Sequence, residues 1–244
     1  MSPSQATPQE QHAALQAAGA AARVLLRALP KSDLDLDIEE KADGSLVSSA
    51  DLASQQVIQD ILAPLDLPIL SEESAAPAYG ERKSWTRFWL IDPLDGTESF
   101  LKSRSGFAVN IALCDATGPI LGVVADPLAN RMFVGGIGVP VHLAPLDGSK
   151  VRIIHPSAIQ RPYRLVTSWM EEAKLTDLVP PHIDPKDVVA RPVSGALKFC
   201  LLATGDAGHA ILLGMNIDVV DLQGERLRYN SEDLRVTGLR CSRV

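Results

Sequence analysis

The stretch FWLIDPLDGTESF, residues 88–100, constrains this chain more than any other. Four apolar residues, Phe88 to Ile91, lead directly into Asp92, and Asp95 follows three positions later. An apolar run bounded by turn residues reads as a buried strand. Two carboxylates at the end of such a strand repel each other unless a positive charge stands between them. Pro93 fixes the backbone between them and Gly96 permits a tight turn, so both acids can be aimed at one place. A hard divalent cation with oxygen ligands neutralises such a pair. Gly96 and Thr97 then open TESFLK, which reads as a short helix whose free N–H groups suit a phosphate. Cation and phosphate at one strand tip imply phosphoryl chemistry. The competing reading is a surface turn followed by a helix cap, and an apolar strand running into both acids is more than a cap requires.

Other features narrow the class. The chain has 244 residues, 46% hydrophobic and 22% charged, enough for one large domain or two small ones sharing an interface. A net charge of −7 argues against a nucleic-acid backbone as partner and leaves room for a small phosphorylated ligand in a cleft. Three scattered cysteines, Cys114, Cys200 and Cys241, suggest buried thiols in a reducing cytosol rather than a disulfide framework. The five histidines show no metal-ligand spacing. No run is long and apolar enough to span a membrane, and the N-terminus lacks the basic segment of a signal peptide.

Along the chain, residues 7–30 read as an amphipathic helix with a Thr7–Glu10 capping box, and Leu15, Ala18, Ala22, Leu25 and Leu29 share one face. A second helix starts near Ser49–Asp51, with Ile58, Ile61, Leu62 and Leu65 as its apolar stripe. PILSEES reads as a short strand ending at Glu72 and Glu73. Residues 106–136 read as an antiparallel meander, broken by turns at 115–118 and 126–130. Short strands follow in Pro-rich surroundings. SGALKFCLLATG and GHAILLG then read as helices, and IDVVDLQGERLRY as a hairpin turning at Gln223-Gly224. The simplest architecture is α/β, two linked layers covering residues 1–138 and 139–244.

WLIDPLDGTESF, with KADGSLVSSAD and LSEES before it and SGALKFCLLATG and VVDLQGERLRYN after it, resembles the signature of the lithium-sensitive inositol monophosphatase superfamily. The LSEE form, the Ser-x-x-Leu-Lys-Phe-Cys run and DLQGERLRY look most like its CysQ branch, the 3′(2′),5′-bisphosphate nucleotidases of sulfur metabolism. The resemblance implies a sugar-phosphatase-like αβαβα sandwich and Mg²⁺ as cofactor. It implies that Glu72, Asp92, the Leu94 carbonyl and Asp95 hold metal. It assigns Asp51 and Thr97, with Glu72, to catalysis, the first two as a pair drawing a proton from the attacking water. Gly96 and Thr97 would cradle the phosphate, with Glu72, Leu94 and Asp95 beside it. Ser194 and Lys198 would touch the nucleotide side, one helical turn apart on a shared face. The implied reaction converts adenosine 3′,5′-bisphosphate to AMP and phosphate, with the 5′-phosphosulfate analogue also open as substrate. The implied setting is the cytoplasm, with peripheral association at the inner membrane and a homodimer both left open.

The chain departs from the family at several places. Between CLLATG and GHAILLG the family's Trp-Asp metal motif and the strand before it are missing, so the second layer is expected to lack a strand and the second cation a ligand. Asp206 is the nearby acid that could replace it, or it could cap the next helix. KSRSGFAV lacks the Glu that usually precedes Phe, GGIGVPVHL lacks a Gly-Ala-aromatic stretch, and VTSWMEEAKL replaces a Ser-Arg-Ser-like turn. Three functions follow as expectations: an active bisphosphate nucleotidase, a weakened relative that binds a phosphorylated ligand or a partner without turnover, and an inositol or sugar monophosphatase.

Overall fold

Helix α1 (Pro8–Ala28) starts on the Thr7–Glu10 capping box. The Glu10 N–H donates to Thr7 Oγ1 at 3.2 Å and the Thr7 N–H donates back to Glu10 Oε2 at 2.7 Å. The same carboxylate receives the Arg87 guanidinium at 2.6 and 2.8 Å, which pins the helix start to the strand that carries the two acids. Burial raises the Glu10 carboxyl, but Arg87 and the Thr7 donors outweigh it and hold it below its ordinary value. These features belong to a computed structural model, which describes residues 4–30, 38–40, 46–153, 163–167, 184–203, 217–220 and 240–243.

The buried face of α1 is made of small residues. Ala13, Ala14, Ala17, Ala18, Ala21, Ala22 and Leu25 are in the core, whereas Leu15 and Leu29 pack at its margin. A stripe of alanines lets a helix lie close to its neighbours. Gly19 extends the stripe, and a Cβ built there would stand 2.1 Å from the Leu146 carbonyl oxygen, which also accepts Arg23 Nη1 at 2.7 Å. Helix propensity alone favours Gly19→Ala by about 1 kcal/mol. The collision with a backbone atom reverses the sign, so this variant is expected to be less stable by about 1–3 kcal/mol in chemical denaturation.

Strands β1 (Ile38–Glu40) and β2 (Leu46–Ser48) pair antiparallel and lead into helix α2 (Ser49–Leu62). Ile58 and Leu62 of α2 are fully buried, and Ile61 and Leu65 flank them. A seven-stranded sheet follows in chain order: β3 (Ile69–Ser71), β4 (Arg87–Asp95), β5 (Ala108–Asp115), β6 (Gly118–Asp126), β7 (Arg131–Gly136), β8 (Val139–Ala144) and β9 (Arg152–Ile153). Helix α3 (Tyr79–Arg82) lies in the crossover between β3 and β4, which are parallel; all later neighbours are antiparallel. The meander read over residues 106–136 is β5 to β7. The sheet continues past residue 138, because β8 and β9 pair onto it. Beyond it, β10 (Tyr163–Thr167) and β11 (Val188–Pro192) pair in parallel, helix α4 spans Gly195–Ala203, and β12 (Ile217–Val220) pairs antiparallel with β13 (Arg240–Arg243). Asp206, GHAILLG and the Gln223-Gly224 turn lie outside the described residues.

The sheet is covered on both faces, as an α/β fold requires. Val109, Ile111 and Leu113 of β5 join the core shared with α1 and α2. Ala108, from the opposite face, packs with Phe133, Leu143 and the α4 residues Leu197, Cys200 and Leu201. Phe88 and Cys114 pair on that same second face, while Trp89 and Ile91 belong to the first.

Candidate active site

In a regular strand, side chains three positions apart point to opposite faces. Asp92 and Asp95 should therefore diverge. They do not, because β4 carries a bulge between them. Asp92 stands opposite Asn110 and Asp95 opposite Ala108, so three steps on β4 match two on β5. The extra residue restores a common face for the acids. Leu94, displaced by the bulge, turns its side chain into the α1–α2 core and is 2% exposed. The bulge is tied down from α2, where the buried Ser54 hydroxyl donates to the Pro93 carbonyl at 2.7 Å. The acids thus lie within the last four residues of the strand rather than in a turn after it.

Gly96 closes the motif at φ +88°, a conformation that favours glycine. The next residues form one helical turn, widened to π spacing over Ser99–Ser103, with the Phe100 N–H on the Gly96 carbonyl at 2.9 Å. Thr97, at the start of this turn, donates toward Asp51 Oδ1 at 3.1 Å and lies 3.3 Å from the Leu94 carbonyl oxygen. Asp51 is fully buried in the first turn of α2. Its Oδ2 receives the Ser48 N–H at 2.8 Å and the Ser48 hydroxyl at 2.6 Å. One carboxylate oxygen therefore serves the helix start and the other faces Thr97.

Three acids share one space. Burial first, then the charges of Asp95 and Glu72, push the Asp92 carboxyl up to about 9, and a side-chain hydrogen bond with Glu72 adds to the rise. The Asn110 amide, donating to Asp92 Oδ2 at 3.3 Å, pulls the other way. Glu72 is exposed at the end of β3, its N–H on the Ile91 carbonyl at 3.1 Å. Among the described residues no three His, Cys, Asp or Glu side chains close into a finished ligand group. The donor set, carboxylates with a carbonyl beside them, is what a hard divalent cation takes.

The second part of the chain reaches this site through α4. Asp95 Oδ2 accepts the Ala196 N–H at 2.8 Å, which satisfies one donor of the helix start. Ser194 donates its N–H to the Gly106 carbonyl at 2.6 Å, and its Cβ lies 3.1 Å from where a Cβ on Gly96 would stand. The Ser194 hydroxyl is buried without a protein partner among the described residues. Lys198 lies one turn further, its N–H on the Ser194 carbonyl at 3.2 Å. Burial lowers its ammonium pKa, and Asp95 opposes that shift. The structure thus brings together Asp51 on α2, Glu72 just after β3, Asp92, Leu94 and Asp95 on β4, Gly96 and Thr97 in the turn after it, and Ser194 and Lys198 at the start of α4 and within it.

The sequence model of the inositol monophosphatase family matches residues 8–223. The chain belongs to the inositol monophosphatase family. It is 35% identical over 217 residues to the 3′(2′),5′-bisphosphate nucleotidase CysQ of Shigella flexneri, covering 81% of this chain and 85% of that one. The CysQ of Escherichia coli strain K12 is 34% identical over 218 residues, with the same coverage. Among solved structures, CysQ from Bacteroides thetaiotaomicron, titled a bacterial member of the inositol monophosphatase family, superposes with a TM-score of 0.73 at 28% identity, covering 96% of both chains. Membership makes this protein a phosphatase-family hydrolase. No helix among the described residues is long and apolar enough to cross a membrane.

Three site residues of this inositol monophosphatase family member escaped the sequence reading. Asn110 holds Asp92, and Ser54 and Gln55 fasten α2 to the segments carrying the acids. Asn110 had a signal, a polar residue inside the apolar run AVNIAL. Ser54 and Gln55 stand three and four positions after Asp51, the spacing of a shared helix face.

Proposed function

We propose that this chain is a Mg²⁺-dependent phosphatase that removes the 3′-phosphate of adenosine 3′,5′-bisphosphate, releasing AMP and phosphate. The observation that carries the reading is the Thr97–Asp51 hydrogen bond standing beside three convergent carboxylates. Glu72, Asp92, Asp95 and the Leu94 carbonyl would hold Mg²⁺, which when bound would supply neutralising charge for the phosphoryl oxygens. The protein's own groups do the rest. Thr97 Oγ1 takes a proton from the attacking water as it passes its own to Asp51 Oδ1. With Ser48 donating twice to Oδ2, Oδ1 is the oxygen of Asp51 that faces Thr97. Backbone N–H groups at Gly96 and Thr97 orient the phosphate. Ser194 and Lys198, set against Gly96 and Asp95, offer a hydroxyl and a cation to the nucleotide. The substrate class is supported by the nucleotidase names of the relatives, and a cytoplasmic site of action fits that substrate.

A second reading rests on a separate observation, the missing Trp-Asp segment before GHAILLG: the chain binds a phosphorylated ligand with little turnover. Phosphate release from adenosine 3′,5′-bisphosphate separates the two. Release is expected with Mg²⁺, is expected to stop on chelation, and is expected to exceed release from inositol 1-phosphate. Asp95→Asn serves as the control and is expected to be inactive. Metal-independent release, or none at high enzyme concentration, overturns the nucleotidase reading.

A further inference from the structure

We propose that Gln55 is a positioning residue that fixes the Glu72 segment for cation binding. The inference rests on the reading of Glu72 as a metal ligand. Helix α2 presents Asp51, Ser54 and Gln55 within one turn, and each fastens a different part of the site. Asp51 meets Thr97, and Ser54 holds the Pro93 carbonyl at the bulge. Gln55 Oε1 accepts two hydroxyls, a short bond from Ser71 and one from Ser74 at 3.2 Å. Those serines flank Glu72 and Glu73 in the chain. Within the bracket, the Ser74 N–H meets the Ser71 carbonyl at 3.4 Å and the Glu73 N–H meets Ser71 Oγ at 3.4 Å.

The bracket matters because Glu72 is exposed, unlike Asp51 and Asp92. Packing does not hold an exposed glutamate, so its direction depends on the turn that bears it together with its hydrogen bond to Asp92. That turn is anchored to β4 by the Glu72 N–H and to α2 by Gln55. One helix thereby sets the spacing between the Thr97 relay, the β4 acids and Glu72. Losing a group that orients a ligand from behind typically costs about 10–100-fold in metal affinity.

The test is Mn²⁺ binding to the full chain by equilibrium dialysis, without substrate, together with the melting temperature. Gln55→Met keeps the shape and removes the acceptor. It is expected to weaken Mn²⁺ binding by about 10–100-fold. Metal-free melting is expected to stay within a few degrees of the parent. Ser71→Ala is expected to weaken binding in the same direction, and the double variant by less than the two single losses combined, since both remove the Gln55–Ser71 bond. Ser74→Ala, at an exposed position, is expected to give a smaller loss and serves if Gln55→Met does not fold. Parental affinity in Gln55→Met, or in Ser74→Ala should the first not fold, overturns the proposal, as does strict additivity in the double variant. Absence of Mn²⁺ binding to the parent protein overturns both this inference and the metal reading beneath it. Parental affinity in the variants leaves that metal reading intact.

Discussion

Replacing Thr97 with valine is expected to lower kcat for phosphate release by about 10²–10⁴-fold, the range of a lost proton-transfer step. Valine keeps the branched shape and removes the hydroxyl that lies 3.1 Å from Asp51 Oδ1. Asp51 still receives both donors of Ser48, so α2 keeps its start. The stability loss is therefore that of one hydrogen bond, about 1 kcal/mol. Thr97→Ser, which restores the hydroxyl, is expected to recover most of the rate. The contrast between the two variants, read in kcat beside an unfolding curve, is what identifies a relay. A valine variant as fast as the parent would remove Thr97 from the chemistry.

Asp92→Asn is expected to make the metal-free protein more stable while abolishing both phosphate release and the thermal stabilisation given by Mg²⁺. In the fold, burial and the charges of Asp95 and Glu72 push this carboxyl up to about 9. In the unfolded chain it titrates near 3.9. A carboxyl raised on folding favours the fold fully below the unfolded value and loses that contribution as pH rises toward the folded value. The stabilising effect of the asparagine should accordingly be absent below about pH 4 and grow up to about pH 9. The gain at neutral pH is expected to be about 0.5–2 kcal/mol, the size common to single stabilising substitutions. Denaturant unfolding in chelator across this range, repeated with Mg²⁺, reads all three effects. If the variant is less stable at every pH, the acids are not crowding one another.

Much of the fold was legible because its signals are local. The Thr7–Glu10 capping box, the turns of the meander and the apolar run of β4 each depend on residues within a few positions of one another. The α1 face was legible in part: Ala18, Ala22 and Leu25 of the predicted stripe are buried and Leu15 and Leu29 pack at its margin, whereas Ala13, Ala14, Ala17 and Ala21, which complete the buried surface, were not singled out. Close packing of α1 favours the smallest side chains, and a hydrophobic period does not register size.

The residue types of the candidate site could likewise be read from the sequence, since two acids, a Pro, a Gly and a Thr stand within a few positions of one another. Their convergence could not. Strand geometry alone sends Asp92 and Asp95 to opposite faces, and only the register between β4 and β5, with its extra residue at the bulge, returns them to one. Register is a property of two segments paired at a distance, as are the contacts that bring Gln55 to Ser71 and Ala196 to Asp95. The sequence by itself determined the family and which residue types stand at the candidate site; the tertiary structure decided where the groups meet, because hydrogen bonds between remote segments leave no mark on the order of residues.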